Sequence, residues 1–257
     1  MGNYNYEYSL ITISNHEDVY QEFRKGLLQQ KDVDYELIKI NNDQNQFDSA
    51  RTAYNEAAAK ATGKYLVFLH PDIRFLDEYS LRDNLNEIKD IGDFGVAGIA
   101  GSPWKLYRNR SFIVTTIVQG ENKESVGTSI SKTTEVQTVD ESFFVMKKAY
   151  WEHIPFTDCP GWHFYAVEQC LRAIIDGKKN YVVPARIWHK STGGSEDRNY
   201  VRIGKQMVKE YGNYFPYINT TVTKWDTKGI TKYTTPWYRY AKRQVHRYLD
   251  KYKQPEN

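Results

Sequence analysis

The chain has little cysteine. Cys159 and Cys170 are the only two in 257 residues, and neither belongs to a CxxC pair or has a histidine at zinc-ligand spacing. That argues against a disulfide framework and a structural zinc site, and it predicts free thiols in a reducing compartment. Long apolar runs are also missing, and nothing approaches the ~18 residues of a membrane span. The opening MGNYNYEYSLITIS has no basic stretch and no long apolar run. No secretory signal is read there, and the expected location is the cytoplasm. No GxGxxG follows the first apolar run, which argues against a dinucleotide-binding fold. Internal repeats and low-complexity tracts are absent.

What is present fits a soluble α/β protein. Hydrophobic residues make up 40% of the chain and charged residues 26%, enough for one domain with a real core. Aromatics are abundant, with 21 Tyr and 6 Trp. Such rings either stack on the C–H faces of sugars or fill the core. The net charge of +3 is unevenly spread: residues 224–257 carry +6 and the first 223 residues −3. The tail is therefore a separate electrostatic unit, and the division expected is 1–223 and 224–257.

Apolar periodicity predicts strands at Tyr8–Ile13, Tyr35–Ile40, Lys64–Leu69 and Phe94–Ala100. Helices are expected at Asp18–Gln29, after an N-cap at Ser49, and at Leu81–Ile88. This alternation predicts a parallel, doubly wound sheet. Three further β-rich runs, Phe112–Thr116, Glu135–Val139 and Phe143–Lys147, have no helices between them and suggest a second, antiparallel or mixed layer. Helices at Gly161–Ile175 and Asp197–Tyr211 follow, with a strand at Tyr181–Pro184 between them.

In an open parallel sheet, ligands gather at the carboxyl ends of the strands. The segments there are Ser14-Asn15-His16-Glu17, Asn41-Asn42-Asp43 and His70-Pro71-Asp72. Asn15 and Asn41 suit a nucleobase or ribose, or they are simply loop residues. Asp72 directly follows a buried strand, where a carboxylate can hold a hard divalent cation that bridges two phosphates.

The run ARTAYNEAAAKATGKYLVFLHPDIRF resembles the core of the bacterial family-2-like GT-A glycosyltransferases, in particular the subgroup with His-x-Asp in place of DxD. VDESFFVMKKAYWEHIPF and FTDCPGWHFYAVEQCLRAIIDGKKNYVVPARIWHKS extend the resemblance, which spans roughly residues 8–195. It implies a GT-A fold, Rossmann-like with a smaller mixed sheet, and a C-terminal amphipathic helical tail beyond it. It also implies that Asn15, Glu17, Asn41 and Asn42 lie near the nucleoside. Asp72 and His189 would hold Mn2+ or Mg2+, with His70 in or beside the ligand set. Ser191 and Gly193-Gly194 would close over the diphosphate. Asp140 and Trp162 would face the sugar or acceptor, and His163 would lie at the acceptor rim.

The family carries an acid at the start of the helix that reads roughly E-D-x-D-L-x-x-R. Here Ala166 stands at the position of the expected base, and Glu168 matches the last acid. The base is therefore Glu168 or His163, unless activity is altered. Glu168 paired with Arg172 along the helix is the structural alternative.

The expected reaction is inverting transfer of a hexose from a nucleotide-sugar, most simply a UDP-sugar, to a glycan, lipid-linked or protein-linked acceptor. Mn2+ is favoured over Mg2+ because imidazole suits softer ions. A sugar nucleotidyltransferase and a non-catalytic carbohydrate or membrane-surface binder are the alternatives. In the tail, Trp237, Tyr240, Ala241, Val245, Tyr248, Leu249 and Tyr252 recur at helical spacing beside Arg239, Lys242, Arg243, Arg247, Lys251 and Lys253. Residues 236–253 read either as a peripheral contact with an anionic inner-leaflet surface or as a face that packs on the domain or in a homo-oligomer. Nucleic acid is not expected, since the rest of the chain is net negative.

Overall fold

A computed structural model describes residues 4–191 and 197–253. The chain forms two compact units, residues 1–193 with 219–223, and residues 194–218 with 224–257. The expected division left residues 194–218 with the first 223 residues.

The first unit begins with the expected alternation: β1 (Tyr6–Ser14), α1 (Glu17–Leu27), β2 (Tyr35–Asn41), α2 (Ala50–Lys60), β3 (Gly63–Leu69), β4 (Ile73–Phe75) and α3 (Ser80–Asp90). Ser49 caps α2 as expected, its hydroxyl accepting the Arg51 N–H at 3.2 Å. Short strands follow: β5 (Ala97–Gly98), β6 (Ala100–Ser102), β7 (Val114–Thr115), β8 (Val118–Gln119), β9 (Glu124–Ser125), β10 (Thr134–Val136), β11 (Thr138–Val139) and β12 (Phe143–Lys147). The unit continues with α4 (Lys148–His153), α5 (Tyr165–Ile175), β13 (Asn180–Val182) and β14 (Ile187–His189).

Seven strands make the main sheet, in the order β10-β13-β5-β12-β3-β1-β2. β1 lies parallel to both β2 and β3, and β5 parallel to β13. Strand β12 runs antiparallel between β3 and β5, so the sheet is mostly parallel but mixed. Helices cover both faces. In β3, Tyr65, Val67 and Leu69 point into the core shared with α1 and α3. Leu66 and Phe68 point to the opposite core, built with α2 and α5. This two-sided burial explains the unbroken apolar run of β3.

Three expectations need correction. Phe143–Lys147 is not part of a second layer. Its residues Phe143 to Met146 are fully buried and feed both cores, which suits only a central strand of the main sheet. The run Phe94–Ala100 is not one strand: β5 stays in the main sheet and β6 enters a three-stranded sheet, β11-β6-β7. Gly101 permits this, because a Cβ there would stand 2.5 Å from the Thr138 carbonyl oxygen. Helix α5 starts at Tyr165 rather than Gly161, because Phe164 adopts a left-handed conformation (φ 64°, ψ 13°).

The second unit contains α6 (Arg198–Tyr211), β15 (Tyr217–Asn219, whose last residue belongs to the first unit), β16 (Lys224–Asp226) and α7 (Thr231–Lys253). Asp197 caps α6 through the Tyr200 N–H at 2.8 Å. Gly204 lets α6 approach Trp225, since a Cβ would lie 2.3 Å from the indole. Helix α7 starts before Trp237, carries Pro236 inside it, and packs on α6. The Lys205 ammonium lies 5.7 Å from the Trp237 ring centre. Among the described residues, no helix is long and apolar enough to cross a membrane.

Candidate functional site

The site is assembled at the carboxyl end of β3. His70 follows the strand, and its backbone N–H donates to the Ser142 carbonyl at 2.9 Å. The chain then turns through Pro71 and Asp72 into β4. Strand β4 pairs antiparallel with β14, placing His189 opposite Ile73, and the Lys190 N–H donates to the Asp72 carbonyl at 3.1 Å. Two segments more than a hundred residues apart are thus clamped together.

One ligand atom from each of His70, Asp72 and His189 lies within 4.8 Å of the others. His189 Nε2 is 3.2 Å from Asp72 Oδ2. Both Nε2 and Asp72 Oδ1 are buried without a hydrogen-bond partner. Buried polar atoms are seldom left unsatisfied, so this pair is suited to a ligand that accepts lone pairs. The remaining nitrogens are held from outside. His70 Nε2 meets the Tyr165 hydroxyl at 2.8 Å, and His189 Nδ1 faces the Gln119 amide at 3.5 Å. Partners behind the ligands are a usual feature of metal sites. One carboxylate and two imidazoles form a set suited to a divalent metal.

Electrostatics agree. Burial alone would push the Asp72 carboxyl up, but neighbouring His189 and His70 hold it below the usual range. His189 shows the reverse: burial pulls it down, and Asp72 more than compensates and raises it. His70 is lowered, mainly by burial.

The other expected site residues are dispersed. Asp140 lies in the loop between β11 and β12, its carboxylate accepting from Ser142 N–H at 3.0 Å and Thr221 Oγ1 at 2.7 Å. Those bonds hold it below its ordinary range against the opposing effect of burial. Asn15 and Asn41 are exposed at the ends of β1 and β2. Glu17 is exposed and paired with Lys39. Asn42 is buried, and its side chain caps its own loop by accepting the Phe47 N–H at 2.8 Å. Trp162 is exposed and His163 half-buried in the loop before α5, and Ser191 is exposed after β14. Gly193 and Gly194 lie outside the described residues.

The pairing expected for Glu168 along its own helix is not the one formed. Glu168 is buried, and its Oε2 accepts from Arg51 Nε at 2.6 Å and Thr157 Oγ1 at 2.9 Å. It pairs with Arg51 of α2, not with Arg172, whose guanidinium bonds the Pro155 carbonyl and Gln169. The same Arg51 donates to the His163 carbonyl at 3.1 Å, so the pair ties α2 to α5 and the loop before it. Arg51, Tyr165 and Gln119 had no assigned role in the sequence, and nothing in the residue pattern pointed to them.

The family model described as "Glycosyltransferase like family" matches residues 9–211. A curated relative from Fuscovulum blasticum, "ATP synthase subunits region ORF 6", is 23% identical over 188 residues, covering 70% of this chain and 72% of that protein. Among solved structures, S. aureus TarS 1–349 in complex with UDP-GlcNAc is similar with a TM-score of 0.55 at 14% identity, over 79% of this chain and 66% of that one. GalNAc-T7 with UDP, GalNAc and Mn2+ also gives 0.55, at 12% identity, over 82% of this chain and 50% of that one. At such identities the likeness establishes the GT-A fold, and the chain spans two thirds or less of either structure's length.

Proposed function

Since the chain belongs to the glycosyltransferase-like family over residues 9–211, we propose that it transfers a hexose, with inversion, from a nucleotide-sugar to a glycan or lipid-linked acceptor. The observation that carries this reading is the clamped His70–Asp72–His189 cluster at the carboxyl end of β3. Two solved structures of the same fold hold UDP or a UDP-sugar, and one of them holds Mn2+, so UDP is the nucleotide chosen for the test.

Asp72, His189 Nε2 and His70 Nδ1 would hold the divalent ion. His70 Nε2–H would then donate to Tyr165 Oη, fixing the tautomer. A Gln119 amide turned to present its oxygen would do the same for His189 Nδ1–H. When bound, Mn2+ or Mg2+ would neutralise the charge that develops on the departing diphosphate. The protein's own contribution is placement. The exposed polar ends of β1 and β2, with Asn15 and Asn41, line the nucleoside side, and Trp162 offers a ring to the sugar or acceptor. Helix α7, with exposed Tyr238, Val245 and Tyr248 among Lys242 and Arg243, is proposed as the contact with an anionic lipid surface that carries the acceptor.

UDP release from a panel of UDP-sugars, with and without Mn2+, tests the reading. Metal-dependent UDP release is expected. Metal-dependent UDP binding without turnover would leave a binding protein, and no UDP binding in any metal would overturn the proposal.

A further inference from the structure

We infer that Glu141 is the general base of this transfer, supplying the carboxylate that Ala166 lacks; the inference rests on the glycosyl-transfer reading above. Three observations converge on it. First, Glu141 stands beside the candidate metal turn. It lies two residues before Phe143, which pairs with Leu69, and its neighbour Ser142 accepts the His70 N–H at 2.9 Å. Second, the backbone amides of Tyr165 and Ala166 at the start of α5 stand near enough to its carboxylate to favour the charged form. An acid at position 166 would spring from that same first turn. Third, Glu141 Oε1 is buried and has no hydrogen-bond partner. It is an acceptor waiting for a donor, which an acceptor hydroxyl would be.

The other carboxylates nearby are committed. Glu168 is held by Arg51 and Thr157, and Asp140 by Ser142 and Thr221. The groups that face Glu141 are Asp140 in its own loop, Arg51 and Tyr54 of α2, and Tyr165 of α5. Burial, reinforced by Asp140, pushes its carboxyl up to about 8, while Arg51 and the two amides pull the other way. A base poised near the working pH transfers a proton efficiently.

In the step itself, the acceptor oxygen forms a bond to the anomeric carbon as its proton passes to Glu141 Oε1. The bond from that carbon to the diphosphate oxygen breaks, and its electron pair leaves with the nucleoside diphosphate. Glu141 then returns the proton to solvent.

The test uses the full chain with Mn2+ and the UDP-sugar that the wild type turns over. Glu141→Gln should lower kcat by about 10²–10⁴ while the affinity for UDP with Mn2+ is unchanged. Adding Ala166→Asp to Glu141→Gln should restore at least a tenth of wild-type turnover, a rescue that a merely structural role would not produce. If Glu141→Gln fails to fold, Glu141→Asp should fold, bind UDP normally and still turn over more slowly. Wild-type kcat in Glu141→Gln, or UDP affinity lost in proportion to kcat, would overturn the inference and leave glycosyl transfer standing. A wild type that releases no UDP from any sugar donor would overturn both.

Discussion

Asp72 and its two histidines sit on turns and a short strand rather than in the cores, so their chemistry can be removed without breaking the fold. Asp72→Ala should abolish metal-dependent UDP binding and leave the unfolding transition in place. Calorimetric titration of UDP with Mn2+ measures the first and thermal melting the second. Unchanged UDP affinity would remove Asp72 from the site. Tyr165→Phe is the finer test. It deletes only the hydroxyl behind His70 Nε2, and loss of such a supporting bond lowers metal affinity by about 10–100-fold. Mn2+ titration should show that drop while metal-free UDP binding stays constant. At this scale the sequence was partly legible. Asp72, His70 and His189 could be named because motif and resemblance fall on residues that the fold brings together. Tyr165 and Gln119 could not, because what matters about them is which imidazole they touch across the fold.

Individual elements show where pattern reading stops. Strands β1, β2 and β3 and helices α1 to α3 were visible, since each is long enough for its apolar period to repeat. The β5–β6 break was not visible, because Gly101 acts through a neighbour distant in sequence. The role of Arg51 was hidden for the same reason. It sits in the first turn of α2, while its partner Glu168 is 117 residues away in α5. This contact makes a prediction about elements rather than chemistry. Removing one member of a buried ion pair strands the other's charge and costs about 3–5 kcal/mol. Arg51→Met should therefore destabilise the protein by that amount in urea unfolding. Arg51→Met with Glu168→Leu should cost clearly less, since no charge is then left alone. A loss in the double variant equal to the sum of the losses in Arg51→Met and Glu168→Leu alone would mean the two groups are not coupled.

For the molecule as a whole, the proposed membrane contact rests on the basic tail. The described side chains of α7 divide in two directions. Trp237 lies near Lys205 of α6 and packs edge-on to Tyr240, and Arg239 donates to the Lys224 carbonyl at 2.9 Å. Part of the stripe expected from the sequence is thus engaged within its own unit. In contrast, Tyr238, Val245 and Tyr248 are exposed, as are Lys242 and Arg243. The side chains of Arg247, Leu249, Lys251, Tyr252 and Lys253 lie outside the described residues. Each basic residue close to an anionic surface contributes about 1 kcal/mol. Lys242→Glu with Arg243→Glu should therefore weaken partitioning onto such a surface by at least 2 kcal/mol, roughly 30-fold. Flotation of the full chain with phosphatidylserine-containing vesicles at low salt measures this, with neutral vesicles as the control. The wild type should float only with the anionic vesicles, and salt should release it as screening shortens the reach of the charges. The charge-reversed chain should stay at the bottom while keeping its UDP affinity, because the substitutions lie far in sequence from His70, Asp72 and His189. If the wild type does not float, and sedimentation instead finds a dimer that charge reversal dissociates, the exposed face of α7 covers a second copy of the chain and the membrane contact is wrong.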